Sequence, residues 1–150
     1  MARFRFFFFY ILYMKEKLEE QEKVEYSQCM MRLNQEEERY QELLERQSMI
    51  EVELKNTINE VLDISEIRDK EDALEIMKMY VMQQGLVVEQ CQEEVRLARE
   101  KLSEAMRERK TYENLRDKAF EEFKLEESKR EQKEIDELVS YRYGNTKSEE

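Results

Sequence analysis

Apolar residues recur every seven positions from residue 74 onward. Leu74, Val81, Val88, Val95 and Leu102 form one row, and Met77, Gln84, Cys91, Ala98 and Ala105 stand three residues after each. Nine of these ten positions are apolar, the mark of a coiled-coil seam. The first row is mostly β-branched valine, and the second is small or polar, which lets a partner helix approach closely. A weaker seam runs through the first half. Leu33, Tyr40, Gln47, Leu54 and Val61 alternate with Glu36, Leu43, Ile50, Thr57 and Ile64, and seven of these ten are apolar. Further upstream Ile11, Met14 and Leu18 are in phase with one another but not with Leu33. This predicts a slip of register near the start.

Between the two seams lies a polar stretch, residues 63–72, with neither Pro nor Gly. It offers two helix caps: Asp63 with Glu66 three residues on, and Asp69 with Asp72. A turn at about 65–69 divides the chain into helix one over about 4–64, helix two over about 70–142 and a frayed tail at 143–150. The predicted fold is all-α, one long two-helix antiparallel coiled-coil hairpin in which each seam buries the other. Helices of roughly 60 and 70 residues would span about 90–105 Å. The alternative is one continuous helix pairing with a second chain, and the change of seam across 62–74 favours the turn. A hairpin centred near residue 67 sets Cys29 and Cys91 about 12 residues out of step, near 18 Å at helical rise. A disulfide between them is then not expected.

Composition supports the helices and limits the chemistry. The 150 residues include no Pro, two Gly, no His and no Trp, with 42% charged and 40% hydrophobic. A compact fold with several turns needs more Gly and Pro than this. Without His, the usual general base near neutral pH and the usual imidazole ligand are absent. No Gly-rich phosphate loop and no C-x-x-C motif occur. We therefore expect no catalytic residue, no metal site and no cofactor. A net charge of −11 argues against nucleic acid, and against an anionic membrane as the primary target. The isolated cysteines suit a reducing compartment and read as small packing residues. Glu19 with Lys23, Glu42 with Arg46, Glu51 with Lys55, Glu66 with Lys70 and Glu126 with Arg130 are spaced as solvated i,i+4 pairs. Glu36, Glu37 and Glu38 read as the same kind of surface.

The two ends depart from the heptad. Residues 6–14 read FFFFYILYM behind Arg3 and Arg5. No small-x-small cleavage signal follows, and nine apolar residues fall short of the ~20 a membrane span needs. The segment is expected to be retained, without direct membrane insertion. It is either a helix start packed on its partner or an exposed aromatic end, since one stripe cannot bury so many rings. Past Ala105 the seam fades as Arg109 and Arg116 enter the apolar row, with Tyr112, Leu115, Ala119 and Phe123 as a looser stripe. Residues 124–137 hold only Leu125 and Ile135 as apolar residues. That stretch is a solvated helix end or a surface that a partner covers.

The opening M-A-R-F-R-F, the acidic hairpin pattern and E-Q-K-E-I-D-E at residues 131–137 resemble the FliJ family. These are coiled-coil proteins of the bacterial flagellar type III export apparatus. The resemblance implies a non-enzymatic stalk in the central pore of the export ATPase hexamer, joined to the transmembrane export gate and assisting export chaperones. It also implies a cytoplasmic protein peripheral to the membrane-bound apparatus. Phe4, Phe6, Gln132, Lys133, Asp136 and Glu137 would then form one ATPase-binding tip. Met77, Val81, Gln84 and Val88 would be the gate contact, unless they simply pack within the hairpin. The rival readings are a structural homodimeric coiled-coil spacer and a general holdase chaperone that uses its aromatic end.

Overall fold

The computed structural model describes residues 3–60 and 63–148. It contains α1 (Phe9–Glu60) and α2 (Ile64–Ser148), and no strand among the described residues. The protein is an all-α antiparallel two-helix hairpin, as the heptads predict.

The second helix begins earlier than the polar stretch suggests. Residues 65–69, expected to turn, are helical, because the first of the two candidate caps forms. Asp63 Oδ1 accepts the Ser65 N–H at 3.1 Å, and the Asp63 carbonyl accepts the Ile67 N–H at 3.1 Å. An Asx cap with the Glu66 carboxylate in the first turn favours the start of α2 here. The Asp69 alternative lies within the helix. Ile64, assigned to the first seam, is instead the exposed first residue of α2, and Val61 lies outside the described residues. The other end is also longer than expected. Residues 143–148 continue α2 rather than fray, and Thr146 Oγ1 donates to the carbonyls of Arg142 and Tyr143. Extending an existing helix costs little per residue, and Gly144 alone does not stop it. Residues 149–150 lie outside the described residues.

The chain divides into two compact units. One comprises Glu20–Ser103. Its core is Leu33, Cys91 and Val95, with Tyr26, Cys29, Met30, Val87 and Val88 packed against them. Arg32 Nη1 donates to Glu94 Oε2 at 2.9 Å, Gln84 Nε2 to the Glu36 carbonyl at 3.0 Å and Lys70 Nζ to Thr57 Oγ1 at 2.6 Å. These cross-helix pairs are centred between residues 60 and 64, not near 67. The shift in register overturns the expected separation of the cysteines: Cys29 and Cys91 share one apolar cluster, as free thiols.

The other unit comprises Met1–Glu19 and Glu104–Glu150. Leu12 and Ala105 are buried in it. Lys15 Nζ donates to Glu108 Oε2 at 2.8 Å, and Arg109 pairs with both Glu19 and Glu113. Phe4 sits against Phe120 and Phe123, with centroids 5.1 and 5.5 Å apart.

The predicted register slip in the first helix does not occur. Leu12, Glu19, Tyr26, Leu33, Tyr40, Gln47 and Leu54 are all buried or half-buried and step by seven along α1. Ile11, Met14 and Leu18 lie outside this row and are exposed. The pattern is hidden in the sequence because Lys15, Glu19 and Glu22 occupy seam positions. Lys15 and Glu19 are matched there by opposite charges on α2.

Candidate functional site

The described residues contain no group of three or more His, Cys, Asp or Glu placed to hold a metal ion. Three exposed surfaces are distinct.

The first is the C-terminal part of α2. Every residue from 131 to 146 is exposed. Gln132 Nε2 donates to Asp136 Oδ1 at 3.2 Å, an i,i+4 bond along the helix. Ile135, Leu138, Val139 and Tyr143 fall on one side, all open to solvent. Lys133 and Glu137 fall on the other, by helical spacing. Helical order without a buried stripe is unusual. Here the order comes from propagation along α2 and from local side-chain bonds.

The structure does not bring the six residues expected at this tip into one cluster. Gln132, Lys133, Asp136 and Glu137 are consecutive turns of exposed helix. Phe4 and Phe6 are half-buried elsewhere. Phe4 packs on Phe120 and Phe123, and Phe6 on Phe8 with centroids 5.9 Å apart. From Phe123 to Gln132 is about 13 Å at helical rise. Phe4 thus anchors the N-terminal segment to α2, ahead of the exposed turns.

The second surface lies on α2 within Glu20–Ser103. Met77, Val81 and Val88 are half-buried seam residues, and Gln84 is only 7% exposed. The Gln84 amide donates to the Glu36 carbonyl at 3.0 Å and to Glu36 Oε2 at 2.5 Å. All four residues face α1. On the opposite face of the same turns, Ile76, Met79, Met82 and Leu86 are exposed. This outer stripe was missed in the sequence because the stronger seam drew the apolar assignments inward. Its signal is a second apolar row at i, i+3, i+6 and i+10.

The third surface is the aromatic start of α1. Leu12 faces α2 and is 2% exposed, while Phe7, Phe9, Tyr10, Tyr13 and Met14 are open to solvent. Both outcomes foreseen for this segment therefore occur, on different faces.

No helix is long and apolar enough to cross a membrane, among the described residues. Comparisons with curated proteins and with solved structures yield no match. A family model described as the flagellar FliJ protein matches residues 8–148. With 141 of its residues matched by that model and two antiparallel heptad-bearing helices, the chain belongs to the FliJ family of flagellar export-related coiled-coil proteins.

Proposed function

We propose that the protein is a non-enzymatic stalk of the flagellar export apparatus, held by the export ATPase hexamer at the C-terminal turns of α2. The observation that carries this reading is the fully exposed helix over residues 131–146, with an apolar row on one side and charged Lys133 and Glu137 on the other. A helix so exposed over residues 131–146 suits a ring of subunits that covers it. Charge complementarity there would set association rate and register rather than bulk affinity. Phe4 supports this end indirectly, by fixing the N-terminal segment on α2 through Phe120 and Phe123, while Phe6 packs on Phe8.

The contact with the export gate is proposed on the turns of Met77, Val81, Gln84 and Val88, through their outward side. Ile76, Met79, Met82 and Leu86 form the contact, and the four seam residues hold those turns in place. Methionine adapts to irregular partner surfaces, which suits a contact made and broken during export. The same exposed rows would receive export chaperones. On this reading the protein is cytoplasmic and is recruited to the membrane-bound apparatus through its protein partners.

The homodimeric spacer is the second reading, favoured by the exposed Ile135, Leu138 and Val139. Pull-down of the purified export ATPase with intact protein and with a Lys133→Glu, Asp136→Lys variant separates the two. The stalk reading predicts capture by the intact chain and a loss of roughly tenfold or more in the variant, with helicity unchanged. Equal capture by both chains would move the docking site elsewhere.

A further inference from the structure

We propose that the first turns of α1 form a peripheral docking face for an anionic lipid surface. Leu12, Lys15 and Glu19 face α2, which fixes the rotation of the helix. Phe9, Tyr10, Tyr13 and Met14 then lie together on the far side, and Tyr10 is 72% exposed. Phe7, just ahead of the helix, is 90% exposed. The exposed rings of this face belong to one helix and the residue just ahead of it. A planar, deformable surface accommodates such a face better than a structured protein does. Phenylalanine and tyrosine at the start of a helix, with cations at its borders, match the chemistry of the lipid headgroup boundary.

The N-terminal segment is basic although the whole chain is acidic: residues 1–17 carry Arg3, Arg5, Lys15 and Lys17 against Glu16, a net of +3. Lys15 is paired with Glu108 on α2, so Arg3, Arg5 and Lys17 are the cations of this end. The whole-chain charge thus conceals a basic aromatic end. Lys17 lies over the Tyr13 ring at 5.4 Å, at one border of the apolar face. At the other border, Arg5 and Arg116 line an open hollow of about 430 Å³ with Phe4, Phe6 and Phe9. Arg116 is ion-paired with Glu113 and Asp117 at 3.9 and 3.6 Å. Exposed Arg5, beside these rings, is the guanidinium suited to a lipid phosphate. A second copy of the chain fits less well, because a symmetric contact sets Arg3 and Arg5 against like charges. Nine consecutive apolar residues are enough to lie in the headgroup region and too few to cross it. Arg3, Arg5 and Phe7 precede the part matched by the family model, whereas Phe9, Tyr10, Tyr13 and Met14 lie within it.

The chain has no tryptophan, so Tyr10→Trp places a single, selectively excited tryptophan on the face. Titration of this variant with vesicles of equimolar phosphatidylglycerol and phosphatidylcholine should shift its emission to the blue, and high salt should reverse the shift. Binding should weaken roughly tenfold or more with pure phosphatidylcholine, or after Arg3→Glu and Arg5→Glu in the same variant. Neither arginine lies in residues 131–146, so those charge reversals should leave export-ATPase binding intact. The proposal is overturned if emission stays unchanged with both vesicle types. It is equally overturned by a response that is the same with both and insensitive to salt. Self-association without vesicles, lost in the arginine variant, would identify a second copy as the occupant instead.

Discussion

Ala98 and Ala105 are buried on the inner face of α2, where their small side chains allow close approach. Ala98→Leu adds volume that the seam cannot absorb without shifting backbone, and should destabilise the protein by about 1–3 kcal/mol in urea unfolding. Cys91 is 1% exposed, and burial pushes its thiol above the ordinary range. A folded-state pKa above the unfolded value means that the stability conferred by the neutral thiol is full below about pH 8.5. It falls as pH rises through the folded value. In the native protein iodoacetamide should therefore modify the less buried Cys29 first and reach Cys91 only on unfolding. The packing role of both cysteines was legible from their isolation in the sequence. Their proximity was not, because it depends on the residue at which the chain reverses.

Each helix carries one continuous heptad pattern, and what differs along it is chemistry. Apolar identity revealed the seam wherever it is apolar: all ten positions from Leu74 to Ala105 are buried or half-buried. Where the seam is polar it was invisible. Glu19 and Arg109 read separately as surface charge, and only the opposing helix shows that they meet. The same limit applied to Asp63 and Asp69, two plausible caps that short-range sequence cannot rank. Asp63→Ala should remove the bond to the Ser65 N–H and cost about 0.5–2 kcal/mol, whereas Asp69→Ala should be close to neutral. Gly85 is the one glycine in the paired part of α2, and a Cβ there would meet only the Tyr40 ring at 3.6 Å, an ordinary contact. Gly85→Ala should therefore raise stability by about 0.5–1 kcal/mol in thermal or urea unfolding, by stiffening the helix rather than by new packing. If the gate contact needs local bending, the same variant should also weaken it.

For the molecule as a whole, scarce Gly and absent Pro excluded a many-turned globule, and the fold that remains is a hairpin with a single reversal. Partner surfaces were harder to read. In a globular protein an exposed apolar residue is commonplace, but on a helix that already has a complete seam a second apolar row is surplus to folding. The outer stripe of Ile76, Met79, Met82 and Leu86 is such a surplus, and the apolar row ending α2 lies where no residue is buried at all. Family membership makes the export apparatus the natural source of their partners. The stalk reading further predicts that Met79→Glu with Met82→Glu leaves unfolding within about 0.5 kcal/mol of the parent, since neither side chain is buried. The same pair should abolish gate binding in a cross-linking assay.

The most direct test of the stalk itself is a titration of the purified flagellar export ATPase with the intact protein, following ATP hydrolysis and ring assembly together. The account predicts saturable stimulation of hydrolysis and a shift of the ATPase toward hexamers, both much reduced with the Lys133→Glu, Asp136→Lys variant at equal helicity. An ATPase whose rate and assembly state stay the same throughout the titration would contradict it.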